Sequence, residues 1–162
     1  MSLLTRSLLI AATLVSGWLA GGNVDRALVA MPAWQDVGAV AWAEFSRRAD
    51  LGNGRFLYPL EALGGALLTL AAAISIHFER SARRAVALAL YAAVLFAAAG
   101  LALTIKAAPI MLSIRDVTDS ATLQRAFEGF WYWGNIRGAC QVLAFAAQLL
   151  ALAFLLPSGR RP

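Results

Sequence analysis

Apolar residues fill four stretches of the chain, residues 3–22, 57–78, 85–105 and 138–156. Each is close to the ~20 residues a helix needs to cross the hydrocarbon core of a bilayer. None shows the period-two alternation of a strand, and their Ala- and Leu-rich make-up favours helices over a barrel. The pattern therefore predicts an all-α, four-helix transmembrane bundle forming a single domain over residues 1–162. The first loop, 23–56, carries its own pattern. Pro32 suits the first turn of a helix, Gly52-Asn53-Gly54 suits its end, and Trp34, Val37, Ala41 and Phe45 recur at helical spacing between them. Asp36, Glu44 and Arg47 occupy the rest of that wheel, which predicts a short interfacial helix with its tryptophans at headgroup level. Beyond the third span Pro109 is expected to interrupt the chain. Residues 119–129 then read as a second short interfacial helix, with Asp119 as N-cap and Gly129 at its end. FWYWGNIR follows and leads into the fourth span.

Composition agrees. The chain is 60% hydrophobic and 14% charged, too apolar for an ordinary soluble domain. Residues 1–22 have the basic residue, apolar run and small residues of a signal peptide. They are expected to be a retained helix, because the run is long enough to span and three more spans follow. One cysteine, Cys140, and one histidine, His77, exclude an intrachain disulfide, a Cys/His metal cluster and a bis-histidine haem within one chain. No metal or cofactor is expected. The net charge of +5 comes from arginines that flank apolar segments, so nucleic acid is rejected as a partner. The bilayer is the expected partner, alongside a second copy or a membrane-complex subunit.

Charge also orients the spans. Arg6, the turn arginines Arg80, Arg83 and Arg84, and the tail arginines Arg160 and Arg161 are offset by Glu79 alone. In loops 23–56 and 106–133 basic and acidic residues balance. The short basic turn and both termini are therefore expected to be cytoplasmic, in a bacterial inner membrane. This topology brings Asn23, Asp25, Arg26, Tyr58, Glu61, Lys106, Asn135 and Arg137 to one non-cytoplasmic mouth.

Glu61 is the sharpest signal. It lies inside an apolar run above Gly64 and Gly65, where an ionisable group should face the interior and find a partner. Arg137, at similar depth on the fourth span, is the expected counter-ion. The pair either fixes helix register or takes part in chemistry. Lys106 either snorkels to the headgroups or reaches the site. Asn23, Asp25 and Arg26 can simply cap the first helix. Gln141 and Gln148 lie seven residues apart on one face and are expected to hydrogen-bond between helices. His77 is read as interfacial and Cys140 as a packing residue. Phe130, Trp131, Tyr132 and Trp133 form an aromatic belt or the floor of an aromatic-lined pocket.

Gly17 and Gly21 before Pro32, then Trp42, then Thr104 to Pro109, then Trp133, Asn135 and Arg137 at the head of the last span make a recognisable set. In these features the chain resembles the anthrone oxygenase-like integral membrane proteins, over most of its length. It departs from that pattern at Ile110, where an asparagine is expected, with Lys106 just before. The resemblance implies a four-helix membrane fold and metal-free oxygenation of a small aromatic or quinone-like substrate. In that reading Glu61 is the base and Arg137 with Asn135 stabilises the oxyanion, while Tyr58, Lys106, Trp131 and Trp133 line the substrate. Two competing readings are a non-catalytic small subunit or scaffold, and proton movement through Glu61 and the glutamines. The cytoplasmic half offers no matching acidic relay for the latter.

Overall fold

The computed structural model describes residues 1–79 and 83–155. Three of the arginines used for orientation, Arg80, Arg160 and Arg161, lie outside the described residues. The described chain is all helical: α1 (Leu3–Asp25), α2 (Met31–Val37), α3 (Ala39–Arg48), α4 (Gly54–His77), α5 (Arg84–Ser113) and α6 (Ser120–Ala153). Two π-helical turns, Arg26–Ala30 and Ala49–Asn53, join α1 to α2 and α3 to α4. Four helical segments are long and apolar enough to cross a membrane. Helix α1 packs on α4, α4 on α5, α5 on α6, and α6 back on α1, which closes an up-and-down ring.

Helix starts follow their expected chemistry. Ser2 accepts a hydrogen bond from the Thr5 N–H, and Asp119 accepts one from the Thr122 N–H at 2.8 Å. Pro32 lies in the first turn of α2, as its missing N–H requires.

Three expectations change. Pro109 lies inside α5 instead of ending it, and Gly129 lies inside α6. The expected second interfacial helix is thus the first part of the last span. An internal proline costs about 3 kcal/mol in a free helix, but here Ala107 and Met111 on either side of it are buried in a packed core. At 1.5 Å per residue, α5 and α6 are about 45 and 50 Å long, against a hydrocarbon core of about 30 Å. Their surplus stands at the end where the long loops lie. There Met31, Trp34, Trp42, Ile114, Leu123 and Phe127 close a hydrophobic cap.

The third change is the phase of the first-loop helix. Gly38, at φ 86° and ψ 150°, breaks it into α2 and α3 and resets the wheel. Ala39, Trp42, Ala43 and Ser46 face inward, whereas Val37, Ala41 and Phe45 of the expected stripe are exposed. Trp34 and Trp42 are cap residues, not headgroup anchors. Arg47 ties α3 to the α5–α6 loop by donating to the carbonyls of Ile114 and Val117.

The bundle interior is made of small residues and a few satisfied polar ones, as expected where lipid removes the hydrophobic drive between helices. The buried Gln148 donates to Ser16 on α1 at 3.1 Å and to Thr69 on α4 at 2.7 Å. Gln141 accepts from Asn23 at 2.7 Å. Both glutamines therefore bridge helices, as their spacing predicts.

At the opposite end, Arg83 donates to the carbonyl of Phe154, and Ser2 donates to Glu79 at 2.7 Å. Both ends of the described chain therefore meet the α4–α5 turn. His77 contacts the Tyr91 hydroxyl at 3.0 Å on the surface. Hydrogen bonds from the hydroxyls of Thr5 and Ser2, and from the Ser2 N–H, hold the Glu79 carboxyl down to about 2, from an ordinary 4.5. A carboxyl depressed in the native state stabilises the fold above its unfolded value, and that contribution is lost as pH falls toward 2. Thermal unfolding in detergent at pH 6 and pH 3 should therefore show a smaller acid-induced loss for Glu79→Gln than for the parent. Equal losses would show that this network contributes nothing.

Candidate functional site

The polar side chains at the loop end are positioned by irregular backbone. Asn23 anchors the end of α1 by donating to the Leu19 carbonyl and to Gln141 of α6. Arg26 opens the first π-helical turn. The second turn carries Asp50 back into the protein, helped by Gly52 at φ −83° and ψ −113°, and starts α4 at Gly54. A side chain at position 54 would meet the Tyr58 ring at 2.6 Å and the Ala49 carbonyl at 3.0 Å. Glycine there lets Tyr58 fold over the turn.

The result is a bidentate ion pair. Arg26 Nη1 lies 2.7 Å from Asp50 Oδ1, and Nη2 lies 2.8 Å from Oδ2. The Arg26 side chain is 19% exposed and that of Asp50 only 6%. Tyr58 donates to Asp50 Oδ1 at a long 3.4 Å. The Arg26 guanidinium also lies 5.0 Å from the centre of the Phe130 ring. Arg137 approaches the same ring at 6.0 Å, and its electrostatic neighbours are Arg26, Tyr58 and Asp50.

This corrects the expected pairing. Among the described residues no ion pair joins Glu61 to Arg137, because Asp50 from the loop supplies the carboxylate at this mouth and commits it to Arg26. Glu61 is half-buried on α4, near Tyr58, with no hydrogen-bond partner among the described residues. Arg137 likewise donates no hydrogen bond among them, and its Nε is shielded from solvent.

The other sequence candidates disperse. Lys106 is exposed on α5 without an ion pair among the described residues, in keeping with snorkelling. Asn135 is half-buried, and Trp133 packs against the cap while stacking edge-on with Tyr132 at 5.2 Å. Trp131 and Tyr132 face outward, as belt residues do, and Cys140 is a half-buried free thiol. An open groove lined by Val37, Gly38, Val40, Glu44, Arg47 and Ser120 lies beside α2 and α3, and neither Arg26 nor Arg137 lines it.

Sequence reasoning missed Asp50 and the central place of Phe130. Asp50 sits in a balanced loop and reads as one solvated charge among eight; only the Gly-Asn-Gly that follows hints that the chain turns it inward. Phe130 reads as one of four aromatics that form a belt or a pocket floor, with nothing to single it out.

Chemically, the Asp50 carboxylate is committed to Arg26. Among the described residues the Glu61 carboxyl and the N–H donors of Arg137 have no hydrogen-bond or ion-pair partner, and Tyr58 is near both. Among the described residues no three His, Cys, Asp or Glu side chains gather as metal ligands. No family model, curated protein or solved structure matches this chain.

Proposed function

We propose that this chain binds a small aromatic or quinone-like molecule at its loop end, as its resemblance to anthrone oxygenase-like proteins implies. The observation that carries this reading is the Arg137 guanidinium beside the Phe130 ring, without an ion pair or hydrogen bond among the described residues, with Glu61 and Tyr58 nearby. The protein sits in a bacterial inner membrane with both termini cytoplasmic. The basic residues Arg83 and Arg84 at the end shared by the N-terminus support that orientation.

The activity proposed for this site is oxygenation of an activated methylene. Glu61 takes the acidic C–H proton, and the Arg137 fork holds the oxyanion conjugated with the carbanion. The carbanion transfers its electrons to O₂ as a C–O bond forms. The resulting peroxide anion takes the proton back from Glu61 to become a hydroperoxide, which loses water, so that methylene and O₂ become carbonyl and water. Asp50 and Tyr58 act through Arg26, fixing the wall against which the ring lies.

Anthrone supplied to protein in nanodiscs should consume O₂ one-for-one with quinone formed. Glu61→Gln should slow this by ~10²-fold or more while leaving anthrone binding intact. Turnover unaffected by that substitution would remove Glu61 from the mechanism. Absence of binding, with a stoichiometric partner co-purifying in mild detergent, would favour the small-subunit reading instead.

A further inference from the structure

We infer that Arg137 is the cation of a site for a singly charged oxyanion, a carboxylate or phosphate carried on an apolar body; this deepens the reading above and rests on it for the location of the ligand. The charge balance of the cluster leads there. Arg26 is neutralised by Asp50 through two hydrogen bonds of 2.7 and 2.8 Å. Arg137 lies against the other guanidinium's ring, Phe130, and has no ion pair or hydrogen bond among the described residues. Around the Phe130 ring, Arg26, Asp50 and Arg137 together therefore leave one positive charge without an ion-pair partner among the described residues.

The Arg137 Nε is held out of water without a hydrogen-bond acceptor, which is costly, and a second cation nearby raises the cost. Neither Asp25 nor Glu61 relieves it. Asp25 is exposed, Glu61 is half-buried, and neither forms an ion pair among the described residues. Lys106 also lacks an ion pair among the described residues, but it is exposed and water serves it. Arg137 is different because Nε is shielded from solvent. An incoming oxyanion would supply the missing acceptors, and a planar guanidinium fork fits carboxylate and phosphate oxygens two at a time. The apolar body follows from position. Arg137 belongs to the spanning part of α6, next to Ile136, which is exposed to the membrane side, and to the Phe130 ring.

Such a group can come from a soluble aromatic acid or from an anionic lipid headgroup, and one set of titrations separates them. Protein in phosphatidylcholine nanodiscs is titrated with 2-naphthoate and with the neutral 2-naphthamide, and native mass spectrometry reads lipid retained from mixed phosphatidylglycerol and phosphatidylcholine. Naphthoate binding at least about tenfold tighter than naphthamide, lost in Arg137→Gln and partly kept in Arg137→Lys, establishes the site with a soluble ligand. Preferential retention of phosphatidylglycerol, lost in Arg137→Gln, establishes it with a lipid. Arg115→Gln, an exposed arginine in the α5–α6 loop, should change neither. If Arg137→Gln does not fold, the naphthoate-to-naphthamide ratio in the parent decides. Equal affinity for acid and amide with no lipid preference overturns the anion site while leaving an aromatic-binding site standing. Phosphatidylglycerol retention without either naphthyl compound binding does the reverse.

Discussion

Replacing Asp50 by alanine is expected to cost about 3–5 kcal/mol of stability, the loss typical when one partner of a buried pair is removed. The reason lies in what is left behind. Arg26 is 19% exposed, its two terminal nitrogens both bond Asp50, and its Nε already lacks a partner. Without Asp50 the mouth would hold two uncompensated arginines around Phe130. Removing both charges together, as Arg26→Leu with Asp50→Ala, should recover much of the loss, because a buried pair contributes little net stability over apolar replacements. Denaturant unfolding in mild detergent, followed by circular dichroism, measures both. A cost below about 1 kcal/mol for Asp50→Ala would place the pair among solvated surface bridges.

Phe127→Ala is the second large effect, at about 3–5 kcal/mol. Phe127 is fully buried, its ring centre 5.8 Å from that of Trp34, in the hydrophobic cap at the loop end of α5 and α6. The four spans do not depend on this ring, so far-ultraviolet dichroism should keep its helical signal while tryptophan fluorescence shifts as Trp34 gains water. An unchanged spectrum and stability would mean that the cap is not a packed core.

The spans were legible because lipid imposes a length and an apolarity that hydropathy reads directly. The glutamine bridges were legible too, since polar groups seven residues apart inside a span must find partners on a neighbouring helix. What failed were local breakers under tertiary control. Pro109 and Gly129 look like helix ends, yet the cap holds both inside continuous helices. Gly38 looks like a minor loop residue, yet its positive φ moves every later side chain of the loop helix to a different face. The site failed for a related reason. Pairing Glu61 with Arg137 assumes that ionised groups within spans serve one another, and Asp50 enters from a loop whose fold depends on a π-helical turn and Gly54. Candidate residues Tyr58 and Arg137 remain together at that mouth, whereas Lys106 and Trp131 are turned outward.

The functional account depends on which carboxylate serves which arginine. If Asp50 neutralises Arg26, then Arg137 is free for a ligand and Glu61 is free to act as a base. Two double-mutant cycles in one detergent, Arg26→Gln with Asp50→Asn and Arg137→Gln with Glu61→Gln, measure this directly. The account predicts a coupling of about 1 kcal/mol or more in the first cycle and none beyond about 0.3 kcal/mol in the second. A strong coupling between Glu61 and Arg137, with none between Arg26 and Asp50, would contradict it.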